Sequence, residues 1–487
     1  MPNTTVCPLA KKCGGCQLQN LSYPEQLHLK QATAIRLLGR FGHVEEILGM
    51  DDPYHYRNKV QAAFGVNRQG QIISGVYQSA SHRIVPVSDC LIEDKVADRI
   101  IVTIRKLLKS FKIRPYDEDT GRGTLRHVLV RRGWRSGEIL VVLVTAHSML
   151  PGKRNFVRAL LQQHPDITTV VQNINAGQTS LVLGAHSEVL YGPGYIREQL
   201  GDFTFRISPR AFYQINPVQT EVLYRTALEY AGLTGTETVV DAYCGTGTIG
   251  IFASRNAARV IGVENNRDAV RDAISNAKAN RADNVRFYTA DASDFLQGMA
   301  KAGEHADVVI LDPPRAGSDE RFLSAVTTVA PEQVVYVSCN PETLARDLGY
   351  LTRHGYRVER IQPVDMFPHT EHVETVVLLS HKKPDGHINV KVEFGEGEGK
   401  VPLDNIAKRA ESYKPKERVT YKMIKEYIEA KYGFKVHTAY IAEVKRDLGL
   451  PMYDAPNAVE KLKQPRKHPT PEKVEAIKDA LKHFEVI

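Results

Sequence analysis

A cysteine and two carboxylates stand beside short apolar runs in the second half of the chain, where strands of a sheet would begin or end. Cys339 lies two residues after the end of the run 334–337, Asp312 follows the run 308–311, and Glu374 directly precedes the run 375–379. An isolated cysteine more often serves packing. Open α/β sheets, however, bind their ligands at the carboxyl ends of the strands. Cys339 is therefore a candidate nucleophile, and a helix that begins after Pro341 is expected to stabilise its thiolate.

The two carboxylates have different candidate roles. Glu374 is placed as a general base, against the alternative of a solvated carboxylate. The neighbouring segment 365–374 also contains histidines, but it is not H-E-x-x-H and lies in a predicted loop, which disfavours a metal site. Asp312 opens the sequence D-P-P-R, a position that in adenosylmethionine enzymes adjoins the transferable methyl. Arg315 stands where enzymes that methylate amino groups place an aromatic residue, which argues against an exocyclic nitrogen as the target. The alternative is a strand end stiffened by proline.

A glycine-rich turn, DAYCGTGTIG over residues 241–250, follows another apolar run. Glycines at such a turn let the backbone approach a ligand, and a carboxylate at the end of the next strand can bind both ribose hydroxyls. Glu264 lies 19 residues after Gly245 and is placed for that contact. The pattern predicts a cofactor that contains adenosine, and its spacing alone suits NAD as well as S-adenosylmethionine.

Four of the six cysteines form a separate set: Cys7, Cys13, Cys16 and the more distant Cys90. Four thiolates can hold either zinc or an iron-sulfur cluster, and spacing alone leaves both open. Cys244 lies inside the glycine-rich turn and is interpreted as a small packing residue.

The elements that must position these residues change in character along the chain. Residues 58–200 contain short alternating or β-branched runs separated by Gly and Asn, which predicts a β-rich region. After about residue 204, apolar runs alternate with helical patterns, which predicts a parallel, doubly wound α/β sheet. Its predicted strands are 237–242, 259–264, 285–289, 308–311 and 334–337. These patterns divide the chain into three predicted regions: 1–203, 204–380 and a basic, mainly helical extension at 381–487.

Composition limits the class of protein. The chain has 487 residues, 42% of them hydrophobic and 25% charged, with a net charge of +8. These values indicate a soluble globular protein rather than a disordered chain. The longest apolar run, 139–144, is far shorter than the roughly 20 residues that span a bilayer, and the polar start does not resemble a signal peptide. We expect a cytoplasmic protein without a membrane partner, and a monomer.

Five motifs in order resemble the RNA uridine C5-methyltransferases, which form 5-methyluridine in transfer or ribosomal RNA. They are FYQINP at 212–217, D-x-x-C-G-x-G at 241–247, DPPR at 312–315, SCNP at 338–341 and FPHT-x-HVE at 367–374. The resemblance runs from Cys7 to about Ser380 and does not cover the last hundred or so residues. It implies a Rossmann-like class I methyltransferase domain preceded by a β-rich iron-sulfur domain.

The resemblance also implies roles for individual residues. Cys339 would be the thiolate that adds to C6 of uracil, and Glu374 the base that removes the C5 proton. The residues implied to contact S-adenosylmethionine are Gln214, Tyr243, Glu264 and Asp312, with Thr248 and Asp291 as additions. The residues implied to bind a 4Fe-4S cluster are Cys7, Cys13, Cys16 and Cys90.

The substrate implied by the resemblance is RNA, with large-subunit ribosomal RNA favoured and tRNA as the alternative. An NAD-binding oxidoreductase and a non-catalytic iron-sulfur RNA-binding protein remain as other readings of the same residues. Two groups that mix basic and aromatic residues, 54–59 and 126–134, are candidate RNA contacts, against the alternative of charged faces on exposed strands.

The extension carries a separate prediction. Residues 419–450 are interpreted as two basic helices joined near Gly433, followed by a basic turn at 465–468 and another helix. An RNA-binding appendage and a solvated or protein-interacting extension fit this pattern equally well.

Overall fold

The computed structural model describes residues 7–78, 81–177, 181–382, 421–448 and 468–484. The chain divides into two compact units, Met1–His387 and Ile388–Ile487. Within the described ranges, no helix combines the length and apolar character needed to cross a membrane. The basic turn predicted at 465–468 lies outside the described residues except for its last residue. The division of the larger unit near residue 203 stays a prediction.

A mixed sheet lies in the first half of the larger unit. Its strands are β1 (Lys59–Val66), β2 (Ile72–Tyr77), β3 (Ile84–Pro86), β4 (Leu125–Arg132), β5 (Ile139–Thr145), β6 (Ile167–Ile174) and β7 (His186–Tyr191), in the order β3-β2-β1-β4-β5-β6-β7. Two helices, α3 (Lys95–Ser110) and α4 (Lys153–Gln163), pack on one face of it. Even-numbered residues of β1, among them Val60, Ala62 and Phe64, bury their side chains against α3. Because side chains alternate along a strand, the odd-numbered residues of β1 face the other way.

The second half forms the doubly wound sheet. Its strands are β10 (Thr238–Ala242), β11 (Arg259–Glu264), β12 (Val285–Thr289), β13 (Val308–Leu311), β14 (Gln333–Ser338), β15 (Tyr356–Val364) and β16 (Glu374–His381), in the order β12-β11-β10-β13-β14-β16-β15. Helix α5 (Pro217–Ala231) precedes β10, and the helices between the strands are α6 (Thr248–Ala253), α7 (Arg267–Ala279), α8 (Ala292–Ala302), α9 (Glu320–Val329) and α10 (Pro341–Arg353). β10 to β14 run parallel and β16 runs antiparallel to β14. The strands predicted for this half are confirmed, with ends that differ by at most one residue.

A hairpin of β8 (Ile196–Leu200) and β9 (Phe203–Ile207) joins the two sheets. One continuous hydrophobic core contains Leu140 and Val142 of β5, Phe205 of β9 and Val335 of β14. The two sheets of the larger unit therefore share buried apolar surface.

The N-terminal segment belongs to the layer over the second sheet. It contains α1 (Ala10–Cys13) and α2 (Tyr23–Leu38). Ala34 and Leu38 of α2 are fully buried in the core that also holds Tyr336 of β14. Residues Val44 and Leu48 then form parallel bridges to β15. The N-terminal segment, which contains three of the cysteines, therefore packs directly against the doubly wound sheet.

The described part of the smaller unit consists of α11 (Tyr421–Tyr432), α12 (Thr438–Asp447) and α13 (Pro471–His483). Gly433, with φ of 73°, ends α11 and allows the chain to turn. Ile428, Ile441 and Ile477 are fully buried together in a core of its own.

Candidate active site

The predicted reactive residues meet at one edge of the doubly wound sheet. β13 and β14 are parallel neighbours, so Asp312 and Cys339, which follow them, lie at adjacent carboxyl ends. The antiparallel β16 pairs its Thr375 with Ser338 at the end of β14. That register places Glu374 at the same edge. The structure therefore brings together three residues that are far apart in the sequence.

The glycine-rich turn follows β10 at this edge and is held by Glu264. One oxygen of the Glu264 carboxylate accepts a hydrogen bond from the backbone N–H of Gly245 at 3.1 Å, and the other accepts one from that of Asn266 at 2.8 Å. Gly247 has φ of 78°, and a Cβ there would lie 2.5 Å from the Phe287 ring. The turn thus depends on glycine both for its backbone conformation and for close packing.

The other residues assigned to the cofactor differ in their surroundings. Tyr243 is half-buried and adopts φ of 63°, a conformation uncommon for a residue other than glycine. The hydroxyl groups of Thr248 and Tyr224 lie 3.1 Å apart in the interior. Asp291 is exposed, and its carboxylate caps α8 by accepting from the N–H of Asp294 at 3.1 Å.

Gln214 lies in a loop that connects the two sheets. The side chain of Asn58 donates to the Gln214 carbonyl at 3.2 Å, and the Asn58 N–H donates to the carbonyl of Ile215 at 2.9 Å. Asn216 then caps α5 by accepting from the Gln219 N–H at 3.2 Å. Asn58, just before β1, therefore fixes the loop that contains Gln214. This loop borders the glycine-rich turn at 241–250, which we call the cofactor turn.

The two acidic groups of the site are kept from ionising easily. Burial raises the pKa of Asp312 to about 7. The Glu374 side chain is buried, and one of its oxygens has no hydrogen-bond partner among the described residues. Burial, followed by the negative charge of Asp312, raises the pKa of Glu374 well above its usual range, while Arg315 acts in the opposite direction. A protonated or poorly solvated carboxyl of this kind is suited to proton transfer.

The pKa of the Cys339 thiol is raised as well. Burial, then the charges of Glu374 and Asp312, raise its pKa to about 11, and Arg315 lowers it only in part. Asn340 caps α10 directly behind it, accepting from the N–H of Glu342 at 3.0 Å. Any stabilisation of the thiolate by this helix is therefore smaller than the opposing effect of burial, and the predicted contribution of the helix stays a prediction.

Comparison with known proteins identifies this arrangement. A family model described as tRNA (Uracil-5-)-methyltransferase matches residues 185–382. An uncharacterized RNA methyltransferase of Clostridium tetani is 45% identical over 379 residues, which cover 77% of this chain and 82% of the relative. One of Halalkalibacterium halodurans is 45% identical over 381 residues, covering 77% and 83%. The chain belongs to the RNA (uracil-5-)-methyltransferase family.

A solved structure supports the same family. It is the Pyrococcus abyssi tRNA (uracil-54, C5)-methyltransferase in complex with S-adenosyl-L-homocysteine, with a TM-score of 0.63 and 30% identity over 76% of this chain and 86% of that one. The doubly wound sheet is thus the class I methyltransferase fold.

The loop before Glu374 is anchored by the N-terminal segment. The Lys30 ammonium of α2 donates to the Asp365 carboxylate at 2.6 Å and to the carbonyl of Phe367 at 3.0 Å, and both charged side chains are almost fully buried. The Tyr56 hydroxyl donates to the Pro368 carbonyl at 2.9 Å. Sequence analysis missed these positioning residues, because partners more than 300 residues apart leave no local pattern. The one available signal was a lysine on the buried face of an amphipathic helix.

The N-terminal cysteines converge on one small cavity. Cys7, Cys13, Cys16 and Cys90 all line a space of about 30 Å³. Burial raises the pKa of the Cys13, Cys16 and Cys90 thiols. Within the described ranges, however, no three Cys, His, Asp or Glu side chains are arranged to hold a metal ion. Cys244 lies apart from this cavity, buried in the cofactor turn as expected.

The two predicted basic surfaces behave differently. Arg57 and Lys59 are half-buried and line a large cavity. In the second group, Arg131 is almost fully buried and donates to the Ala211 carbonyl at 3.1 Å, and Arg126 pairs with the Glu118 carboxylate at 2.9 Å. The hypothesis of an exposed basic patch at 126–134 is wrong for these two arginines, because both charges serve the fold.

Proposed function

We propose that this RNA methyltransferase modifies C5 of uridine through a covalent adduct between Cys339 and C6 of the base. The observation that carries the proposal is the meeting of Cys339, Asp312 and Glu374 beside the cofactor turn. A nucleophile, a carboxyl that can bond a base and a buried proton acceptor are the groups that this reaction requires.

The chemistry explains why a thiol is needed. C5 of uracil is a weak nucleophile, so the Cys339 thiol first loses its proton to solvent. The thiolate then bonds to C6, and the displaced electron pair passes to the carbonyl oxygen at C4. The enolate then forms a bond from C5 to the methyl group, which S-adenosylmethionine supplies as it becomes S-adenosylhomocysteine. Glu374 removes the remaining C5 proton, and the sulfur–C6 bond breaks to restore the thiolate. Because a stacked base is inaccessible, the uridine must be flipped into the site.

In this proposal, the cofactor residues contact different parts of the methyl donor. Glu264 at the end of β11 binds the ribose hydroxyls, as strand-end carboxylates do in related sheets. Gln214, Tyr243 and Asp312 contact the rest of the cofactor, and Asp312 also bonds the uracil. Thr248 and Asp291 border the same turn.

The proposed target is a uridine of large-subunit ribosomal RNA, with tRNA as the alternative. The experiment is to incubate the enzyme and labelled methyl donor with an unmethylated ribosomal RNA transcript and, in a separate reaction, with an unmethylated tRNA transcript. Label in 5-methyluridine of ribosomal RNA alone supports the first target, and label in tRNA alone replaces it with the second.

The covalent step is tested with RNA that contains 5-fluorouridine. Fluorine replaces the proton that Glu374 must remove, so a protein–RNA adduct should accumulate that survives denaturing gels and requires the methyl donor. Cys339→Ala is expected to abolish the adduct. Cys244→Ala is the matched control, since it removes the other thiol near this edge and should still trap RNA. Equal trapping by Cys339→Ala would overturn the mechanism.

We also propose that the N-terminal cysteines hold a 4Fe-4S cluster. Four convergent thiols are the donor set that such a cluster uses. A single zinc ion with bonds of about 2.3 Å would require sulfurs within about 4 Å of one another, whereas each cysteine of a 4Fe-4S cluster binds a different iron. When bound, the cluster would order the N-terminal segment. Stoichiometric iron and sulfide in anaerobically purified protein support this assignment, and stoichiometric zinc without iron would contradict it.

A further inference from the structure

A large cavity of the larger unit lies on the face of the first sheet that is turned away from α3. It has a volume of about 980 Å³. Its floor includes Lys59, Gln61 and Ala63 of β1, which are the odd-numbered residues expected on this face, together with Tyr77 and His127. Ligand sites in proteins range from about 300 to 1,000 Å³, so this space is large enough for more than a small metabolite.

One lining residue of the cavity adjoins a residue proposed for the methyl-transfer site. Ile215 lines it and directly follows Gln214 in the loop that Asn58 holds. A ligand in the cavity therefore lies on the first-sheet side of the loop that carries a proposed cofactor contact. A chain that enters the active site from this side would pass over the cavity floor.

The positive charge of this cavity is only partly opposed, by Glu93 acting on Arg57. Lys59 forms no ion pair with any carboxylate in the described residues, and its charged neighbours are the cations Arg57 and Arg131. The Nε of Arg57 is buried and has no hydrogen-bond partner among the described residues. Of the acidic lining residues, Glu118 is paired with Arg126 at 2.9 Å, and Glu93 is almost buried. An anionic group such as a phosphate would supply the missing partner.

Next to these cations stands a group of aromatic side chains. The Tyr77 ring is partly exposed, and its centroid lies 6.0 Å from those of His82 and His127, in edge-on geometry in both cases. His127 is almost buried, lines the cavity, and its Nδ1 has no hydrogen-bond partner among the described residues. Burial, then Arg126, lowers its pKa to about 4, so the ring is neutral and has both a donor and an acceptor nitrogen. A flat face for stacking and an unused polar atom at its side suit a nucleobase.

We propose that this cavity binds a nucleotide of the substrate RNA that neighbours the target uridine. Its phosphate contacts Lys59 and Arg57, its base stacks on Tyr77, and the base edge bonds to Nδ1 of His127. The inference rests on the proposed RNA methylation and adds to it a second base-binding site that holds the strand while the uridine is flipped.

The test compares Tyr77→Ala with Tyr191→Ala, using the RNA that the wild-type enzyme methylates. Tyr191 is an exposed tyrosine on β7 of the same sheet and does not line the cavity. Loss of one base stack should raise KM for RNA about 5- to 100-fold in Tyr77→Ala. The affinity for S-adenosylmethionine and kcat at saturating RNA should stay within about twofold, and Tyr191→Ala should match the wild type.

Abasic nucleotides placed one at a time on either side of the uridine identify the bound base. At one position the abasic RNA should raise the wild-type KM by the same factor as Tyr77→Ala, and combining the two changes should add nothing further. A Tyr77→Ala enzyme that behaves like Tyr191→Ala, or an effect that is additive at every position, would overturn the second site while leaving RNA methylation intact. Tyr77-dependent binding of free nucleotides without any change in KM for RNA would overturn it as well. A wild-type enzyme that methylates no RNA would instead remove the proposed function itself.

Discussion

At the scale of single residues, the carboxyl of Glu374 and the thiol of Cys339 limit each other's ionisation. The negative charge of Glu374 contributes to the raised pKa of Cys339, which is about 11. Removing that charge should lower the pKa of the thiol and increase its reactivity. The same change removes the proposed base and should abolish turnover. Glu374 is thus expected to affect thiol reactivity and catalysis in opposite directions.

Glu374→Gln tests this expectation. Between pH 7 and 9 the thiolate fraction of a thiol with a pKa near 11 rises about tenfold per pH unit, and alkylation of Cys339 should follow it. At pH 9, where more of the Glu374 carboxyl is ionised than at pH 7, Glu374→Gln should be alkylated several-fold faster than the wild type while its methylation falls at least about 100-fold. Peptide mass spectrometry measures the first effect and a methylation assay the second. Glu371→Gln is the matched control, an exposed carboxylate of the same loop, and should change neither. Slower alkylation of Glu374→Gln would contradict the electrostatic account.

At the scale of elements, α2 holds the loop that leads to Glu374 through the buried pair of Lys30 and Asp365. Removing one partner of such a pair leaves an uncompensated buried charge and costs about 3–5 kcal/mol. Lys30→Met should therefore lower the free energy of unfolding by that amount and reduce kcat with it. In the double variant Lys30→Met/Asp365→Asn the isolated charge is gone, so much of the stability should return.

An exposed ion pair provides the control for this prediction. Arg255 and Asp202 are 2.6 Å apart with half or more of each side chain exposed, so Arg255→Met should cost less than about 1 kcal/mol. Urea denaturation followed by circular dichroism measures all three variants. Equal losses in Lys30→Met and Arg255→Met would show that the buried pair does not anchor the loop.

The elements also show how far sequence reasoning reached. Apolar runs between turn residues predicted the five parallel strands of the doubly wound sheet, and strand ends predicted where Asp312, Cys339 and Glu374 lie. The strand β15 and the helix α3 were not predicted, although the Asp94 cap and the apolar residues at 97, 100, 101, 104, 107 and 108 follow helical spacing in α3. Contacts between distant segments, such as Lys30 with Asp365, depend on the packed fold and leave no local signal.

At the scale of the whole molecule, the unit formed by residues 388–487 lies beyond residues 185–382, which the family model matches. Within its described helices, Lys425 and Arg446 are exposed and form no ion pair, whereas the Lys431 ammonium lies 2.8 Å from the Asp479 carboxylate. Free cations are available to phosphates and paired ones are not. If this unit binds RNA, Lys425 and Arg446 should make the phosphate contacts.

Truncation after His387 is therefore expected to raise KM for RNA while kcat stays unchanged, because the catalytic edge lies in the other unit. The logarithm of the RNA-binding constant falls linearly with the logarithm of the salt concentration, and loss of two phosphate contacts should make this slope less steep by about 2. In the full chain, Lys425→Ala/Arg446→Ala should reproduce most of that change, and Lys431→Ala should not. Filter binding at several salt concentrations measures the slopes. Identical slopes for the full and truncated chains would exclude RNA binding by this unit and favour its alternative role as a segment that contacts protein, because only phosphate contacts produce a salt dependence of this kind.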